Sequence, residues 1–115
     1  MSEVVRQWLA SLEGHPSCMA CAVRLPRQAA MVRSWDGAIQ EAALDHAARS
    51  VVDVFQILKL HRLPSQYLQW TFASGNLHAL CRGDEWALLV VSRKEAPLPE
   101  DYLQELAAAF LQLGA

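Results

Sequence analysis

Cys18-Met19-Ala20-Cys21 spells a C-x-x-C, the single textual match to a chemical motif in the chain. Such a pair does redox work when its first cysteine opens a helix, where the positive end of the helix dipole stabilises the thiolate. Here the pair lies inside an alternating apolar run, Cys18 to Leu25. Met19, Cys21, Val23 and Leu25 fall on one side and Cys18, Ala20, Ala22 and Arg24 on the other, which is the pattern of a strand. Residues three apart on a regular strand point to opposite faces. The two thiols therefore meet one metal only across a bulge, and tetrahedral zinc would need two more ligands from His15, His78 or Cys81. The expectation is two small buried side chains, with no metal and no cofactor.

The remaining polar residues point no more strongly to chemistry. His15, His46, His61 and His78 fall in four different elements or loops, without H-x-x-x-H or H-E-x-x-H spacing, and are expected as scattered surface and loop residues. Glu41, Asp45 and Asp53, with Arg49 interposed, make ordinary helix pairs on a solvated face. No glycine-rich phosphate loop and no G-x-S-x-G elbow occurs, so nucleophilic catalysis has no support and the chain reads as non-enzymatic.

Composition narrows the class further. A chain of 115 residues fits one domain with one core. Its 53% hydrophobic and 19% charged residues are too apolar for disorder and too evenly interrupted for a membrane span. Met1 to Arg6 carries Glu3 and runs into an amphipathic pattern, which is not the start of a secretory signal. Ten basic and twelve acidic residues leave a net charge of −2, too little field to gather phosphate backbones, so neither nucleic acid nor membrane insertion is expected. Three cysteines, an odd number in a chain able to fold without bridges, indicate reduced thiols and a cytoplasmic location.

The elements follow from hydrophobic spacing. Ser2 can cap a first helix carrying Val4, Val5, Trp8, Leu9 and Leu12, which Gly14 stops. Cys18 to Leu25 and Ala29 to Trp35 read as two strands around Pro26-Arg27-Gln28, forming a hairpin. From about Ala38 to His61 there is no Gly or Pro, and Leu44, Ala48, Val51, Phe55 and Leu58 recur at helical spacing; Pro64-Ser65 ends the region. Gln66 to Phe72, Leu77 to Arg82 and Trp86 to Arg93 form a three-stranded meander with turns at Ser74-Gly75-Asn76 and Gly83-Asp84-Glu85. The last strand is apolar on both faces and so belongs at the centre of a sheet. Glu100 to Leu113 closes the chain as a helix, with Gly114 beyond it. The fold class is α+β, a five-stranded mainly antiparallel sheet between a long central helix and two terminal helices.

Two features exceed what the core of such a domain requires. Ala47, Val54 and Ile57 widen the apolar stripe of the long helix, and Tyr67, Trp70 and Phe72 crowd the strand that follows it. If that strand is an exposed edge it needs covering, and a second copy of the chain is the simplest cover.

This order of helix, two strands, helix, three strands, helix over nearly the whole chain resembles the roadblock / dynein light chain superfamily, among profilin- and longin-like domains. The residues carrying the likeness are the strand Ala22 to Leu25, the long helix Ala43 to Leu60 and the meander Tyr67 to Val91. The resemblance implies a non-enzymatic homodimer, or a heterodimer, in which the long helix and the strand after it pair across a two-fold axis. By position Val51, Phe55, Leu58, Tyr67, Leu68 and Trp70 would line that seam. It also implies a regulator or scaffold for a small Ras-like GTPase or a multiprotein complex. The rival readings are a small-molecule sensor with a pocket between the sheet and the long helix, and a secretion-chaperone-like binding protein.

Overall fold

The chain contains the helices Ser2–Ser11 (α1), Glu41–Leu60 (α2) and Glu100–Gln112 (α3), and the strands Cys18–Arg24 (β1), Met31–Ser34 (β2), Tyr67–Phe72 (β3), Gly75–Cys81 (β4) and Ala87–Arg93 (β5). The computed structural model describes residues 2–37, 39–62, 66–73 and 75–113. The helix start at Ala38, the stop at Pro64-Ser65, the turn residue Ser74 and the terminal Gly114 lie outside the described residues, as does the side chain of Ser2. Every residue of β5 from Ala87 to Ser92 is buried. A strand that is apolar on both faces is stable only between two others and under cover on both sides. It occupies that place in the sheet, whose order is β2-β1-β5-β4-β3 with every pairing antiparallel.

The order also shows what α2 is for. It takes the chain from β2 at one edge of the sheet to β3 at the other. Five strands set roughly 4.8 Å apart measure about 19 Å across. A helix of 20 residues, at 1.5 Å per residue about 30 Å long, is more than long enough to cross that width. Its Leu44, Ala48, Val51 and Phe55 pack onto Met19, Ala20, Ala22, Ala79, Leu89 and Val91. The opposite face is covered by α1 and α3, through Val5, Leu9, Leu106 and Phe110 against Cys21, Val23, Leu88 and Val90.

Two local expectations change, and one turn gains its geometry. Strand β1 carries a bulge: Cys18 lies opposite Ser92 but Ala20 already opposite Val91, so two residues of β1 face one of β5. Cys18 therefore joins Cys21, Val23 and Leu25 in the core under α1 and α3, and Met19 joins Ala20 and Ala22 under α2. In the turn after β4, Arg82 N–H donates to the Trp86 carbonyl at 2.9 Å, and Glu85, not Gly83, takes the left-handed conformation with φ 68°. Gly75, placed in a turn by its residue type, is the first residue of β4 and pairs with Phe72.

Helix α3 has no basic residue in its last turn to meet its free carbonyls. Arg82 supplies the donors from the β4–β5 turn, with Nη1 donating to the carbonyls of Phe110 (3.0 Å) and Leu113 (2.7 Å). Its guanidinium lies 4.2 Å from the centre of the Trp86 ring, and Nη2 reaches Asp84 at 2.6 Å. One side chain thus ties the end of α3 to the sheet.

Candidate functional site

Among the described residues, strand β3 is bonded to β4 alone and forms an edge of the sheet. Five of its six residues are exposed. Tyr67, Trp70 and Phe72 are between 37 and 39% exposed, a dense apolar row for a surface strand. The pairing with β4 sorts their side chains. Leu68, Trp70 and Phe72 lie opposite Ala79, Leu77 and Gly75 and share the α2 side, whereas Tyr67 lies opposite Leu80 and shares the α3 side. On the outside of α2, Ile57 and Leu60 are exposed at 55 and 81%. Between the helix and the edge, Ala47, Val51, Val54, Trp70 and Leu77 line an open apolar cleft of about 280 Å³.

The six residues assigned to a seam by resemblance are thus divided by the fold. Val51 and Phe55 are buried in the core beneath α2, with Val51 also reaching the wall of the cleft. Leu58 and Leu68 are half-buried. Trp70 and Tyr67 are exposed on opposite faces of the same strand. Ile57, Leu60 and Phe72 join the surface without having been assigned to it. The signal for them was present: Phe72 lies two residues from Trp70 on the same face of β3, and Ile57 and Leu60 fall on the side of the helix turned away from the Leu44, Ala48, Val51, Phe55 stripe.

Behind the edge, β3 is held by a polar relay. His78 is buried and not a surface residue as its type suggested. Its Nδ1 shares a 2.6 Å hydrogen bond with the Tyr67 hydroxyl, and its Nε2 lies 3.2 Å from the hydroxyl of the buried Ser92. Burial lowers the pKa of the imidazole below its ordinary 6.5, since the charged form loses its hydration. The folded state therefore resists a proton that the unfolded chain accepts. Stability from this group is fully present above pH 6.5 and is lost as the pH falls through the lowered folded value. Urea melts of the parent should show falling stability as the pH drops below 6.5, and His78→Gln should flatten that slope; equal slopes would remove His78 as its cause.

The bulge that puts Cys18 and Cys21 on one face does not make them reactive. Burial is the main cause that pushes the Cys18 thiol up to about 11, and it raises the Cys21 thiol as well, with the neighbouring Cys18 adding to the effect. Thiols held so far above neutrality are neither nucleophiles nor ready ligands. No group of three or more His, Cys, Asp or Glu able to hold a metal occurs among the described residues. Nor is any helix among them long and apolar enough to cross a membrane.

No family model matches the sequence, and no curated protein matches it. Among solved structures, a Roadblock/LC7 domain from Streptomyces avermitilis superposes with a TM-score of 0.68 at 15% identity, over 91% of this chain and 90% of that one. The fold is roadblock-like. A second structure, Myxococcus xanthus MglB, matches with a TM-score of 0.64 at 13% identity, over 84% of this chain and 74% of its own. The roadblock-like architecture therefore persists here with few of the same residues. In this chain the fold is built from a two-sided central strand, a helix long enough to cross the sheet, and an edge strand directly after that helix.

Proposed function

We propose that this chain is a non-enzymatic protein-interaction module of the roadblock type, which pairs with a second copy through β3 and α2 and presents the joined surface to a small Ras-like GTPase or to a larger assembly. The observation that carries the reading is the apolar edge. A strand with an open outer backbone, carrying the exposed Trp70 and Phe72 beside the cleft that Ala47, Val51 and Val54 line, is a template for strand addition. A copy related by a two-fold axis satisfies the backbone of both strands at once and sets the two α2 surfaces side by side. Leu58, Leu68 and Tyr67 flank the seam, Val51 lines the cleft that it would close, and Phe55 supports α2 from the core. The GTPase enters through the roadblock resemblance, and three free thiols suit the reducing cytoplasm where such partners work.

Light scattering coupled to size-exclusion chromatography tests the pairing. The parent should elute as a dimer at micromolar concentration. Trp70→Glu and Ile57→Glu, both at exposed positions, should stay folded and weaken the dimer by roughly a hundredfold or more, because each would bury an unpaired carboxylate. A parent that is monomeric under those conditions overturns the reading. Phe55→Glu is unsuitable as a probe, since a charge placed in the α2 core would unfold the chain.

A further inference from the structure

Strand β2 is the other edge of the sheet, four strand spacings or about 19 Å from β3. The Trp35 N–H donates to the Met19 carbonyl at 3.2 Å, which sets the phase of the ladder between β1 and β2. Backbone groups alternate along an antiparallel strand, so those of Met31 and Arg33 turn to β1 and those of Val32 turn outward. One outward group is already satisfied, because the Ala30 N–H donates to Asp45 Oδ1 of α2 at 3.0 Å. The N–H and carbonyl of Val32 have no partner among the described residues. They are the pair of groups that an added strand takes up.

Beside this edge, on the α1 side of the sheet, lies an open groove of about 530 Å³. Gln28 to Arg33, six consecutive residues, form one wall, and Arg6 and Leu9 of α1 form the other. A wall of continuous chain suits an extended segment laid along it better than an enclosed small molecule. The groove is also charged with one sign. Arg6 and Arg33 are the charged residues that line it, and the exposed Arg27 stands directly before Gln28. Glu13, which does not line it, reaches Arg33 at 3.1 Å, but both side chains are about half in water, at 45 and 49% exposure, where such a pair is readily exchanged.

We infer that β2 accepts an acidic extended segment of a partner protein, which adds to the sheet through Val32 and turns carboxylates toward Arg6 and Arg33. The phase of the strand gives the segment its pattern. Met31 and Arg33 lie opposite Val23 and Cys21 on the α1 side, and Val32 lies opposite Ala22 on the α2 side. The residue that exchanges hydrogen bonds with Val32 shares its face, beside the partly buried Ala30, and is apolar; its two neighbours point into the groove and are acidic. Short strands and charged side chains keep an edge from pairing at random, and here the charge selects the partner. A second copy does not fit, since pairing β2 with itself would bring two Arg6 and two Arg33 into one place. The groove shares no residue with the pairing surface on β3 and α2, so the inference stands apart from that proposal.

The probe is a pair of synthetic peptides of roughly eight residues, twice the length of β2, alternating valine with glutamate in one and valine with lysine in the other. Each is titrated into the isotope-labelled full chain and followed by amide NMR. The glutamate peptide should bind, move the signals of Arg6, Met31, Val32 and Arg33, and slow hydrogen exchange at the Val32 N–H, while the lysine peptide should not bind. A glutamate peptide N-methylated at its valines keeps its charge but loses the donors that face Val32, and should bind about tenfold or more weakly. Arg6→Gln with Arg33→Gln, both at exposed positions, should weaken the glutamate peptide about tenfold or more and reduce its salt dependence, with circular dichroism and the mass from light scattering unchanged. No binding of the glutamate peptide, equal binding of the lysine peptide, undiminished binding of the methylated one, parent-like binding by the double variant, or shifts centred on β3 would overturn the inference. So would inorganic phosphate that saturates the same signals as tightly as the peptide does, which would give the groove to a small anion.

Discussion

Replacing Phe110 with alanine is expected to lower the stability of the folded chain by about 3–5 kcal/mol, the range for truncating a large buried aromatic. The ring is 1% exposed, stacks on Trp8 at a centroid distance of 6.3 Å, and lies 5.5 Å from the Arg82 guanidinium. It is therefore a junction of α1, α3 and the β4–β5 turn. Its loss would leave a cavity that three separate elements would have to move to close, and such sites relax least. In a chain of 115 residues a loss of this size corresponds to a melting temperature lower by on the order of 15 °C. Leu111→Ala, one residue further on the same helix but half out in solvent, should cost less than about 1 kcal/mol. Thermal and urea melts of the two variants check the contrast; equal losses would mean that Phe110 is not the junction described.

The second large effect is expected at Gly75. A β-carbon added there would fall inside the contact distance of the Ser92 carbonyl oxygen, with the Phe72 ring also close. The obstacle is the backbone of the central strand, which is buried and bonded on both sides and cannot swing away as a long side chain would. Gly75→Ala should therefore cost about 3 kcal/mol, at the upper end for inserting one methyl group into a packed site. Gly83→Ala is the control, because a β-carbon there meets nothing within 4 Å. Urea unfolding should separate the two clearly. Since Gly75 pairs with Phe72 at the end of β3, Gly75→Ala should also weaken the dimer in light scattering. A Gly75→Ala protein as stable as the parent would show that the β4–β5 contact is looser than it stands here.

Each glycine near a turn offers the same letter in the sequence, yet they serve different ends. Gly83 sits where turn chemistry predicts, while Glu85 adopts the left-handed backbone. Gly75 is required by the neighbouring strand and not by a turn. Close approach between strands separated in sequence is invisible in a local pattern, because the pattern records which residues tolerate a conformation and not what lies opposite. His78 teaches the same lesson. A lone histidine in an alternating strand carries no mark of burial, and its partners Tyr67 and Ser92 lie on two other strands.

The sequence alone determined the order of elements, the α+β class, the central place of the strand around Ala87 to Val91 and the presence of one long helix before the meander. These depend on periods of 2 and 3.6 residues and on runs without Gly or Pro, which are local properties of the chain. The tertiary structure decided the rest. The bulge at Cys18 to Ala20 turned the two thiols to one face, since register is set by pairing with β5. The crossing of α2 buried Val51 and Phe55 while leaving Ile57 and Leu60 outside, because only the helix face turned to the sheet is covered and those two fall on the face turned away. The position of β3 at the sheet edge left Trp70 and Phe72 partly exposed, where the sequence offered only that the strand was richer in aromatics than a core requires. Which side of an apolar residue meets water is a property of neighbours brought from elsewhere in the chain, and no spacing along it contains that information.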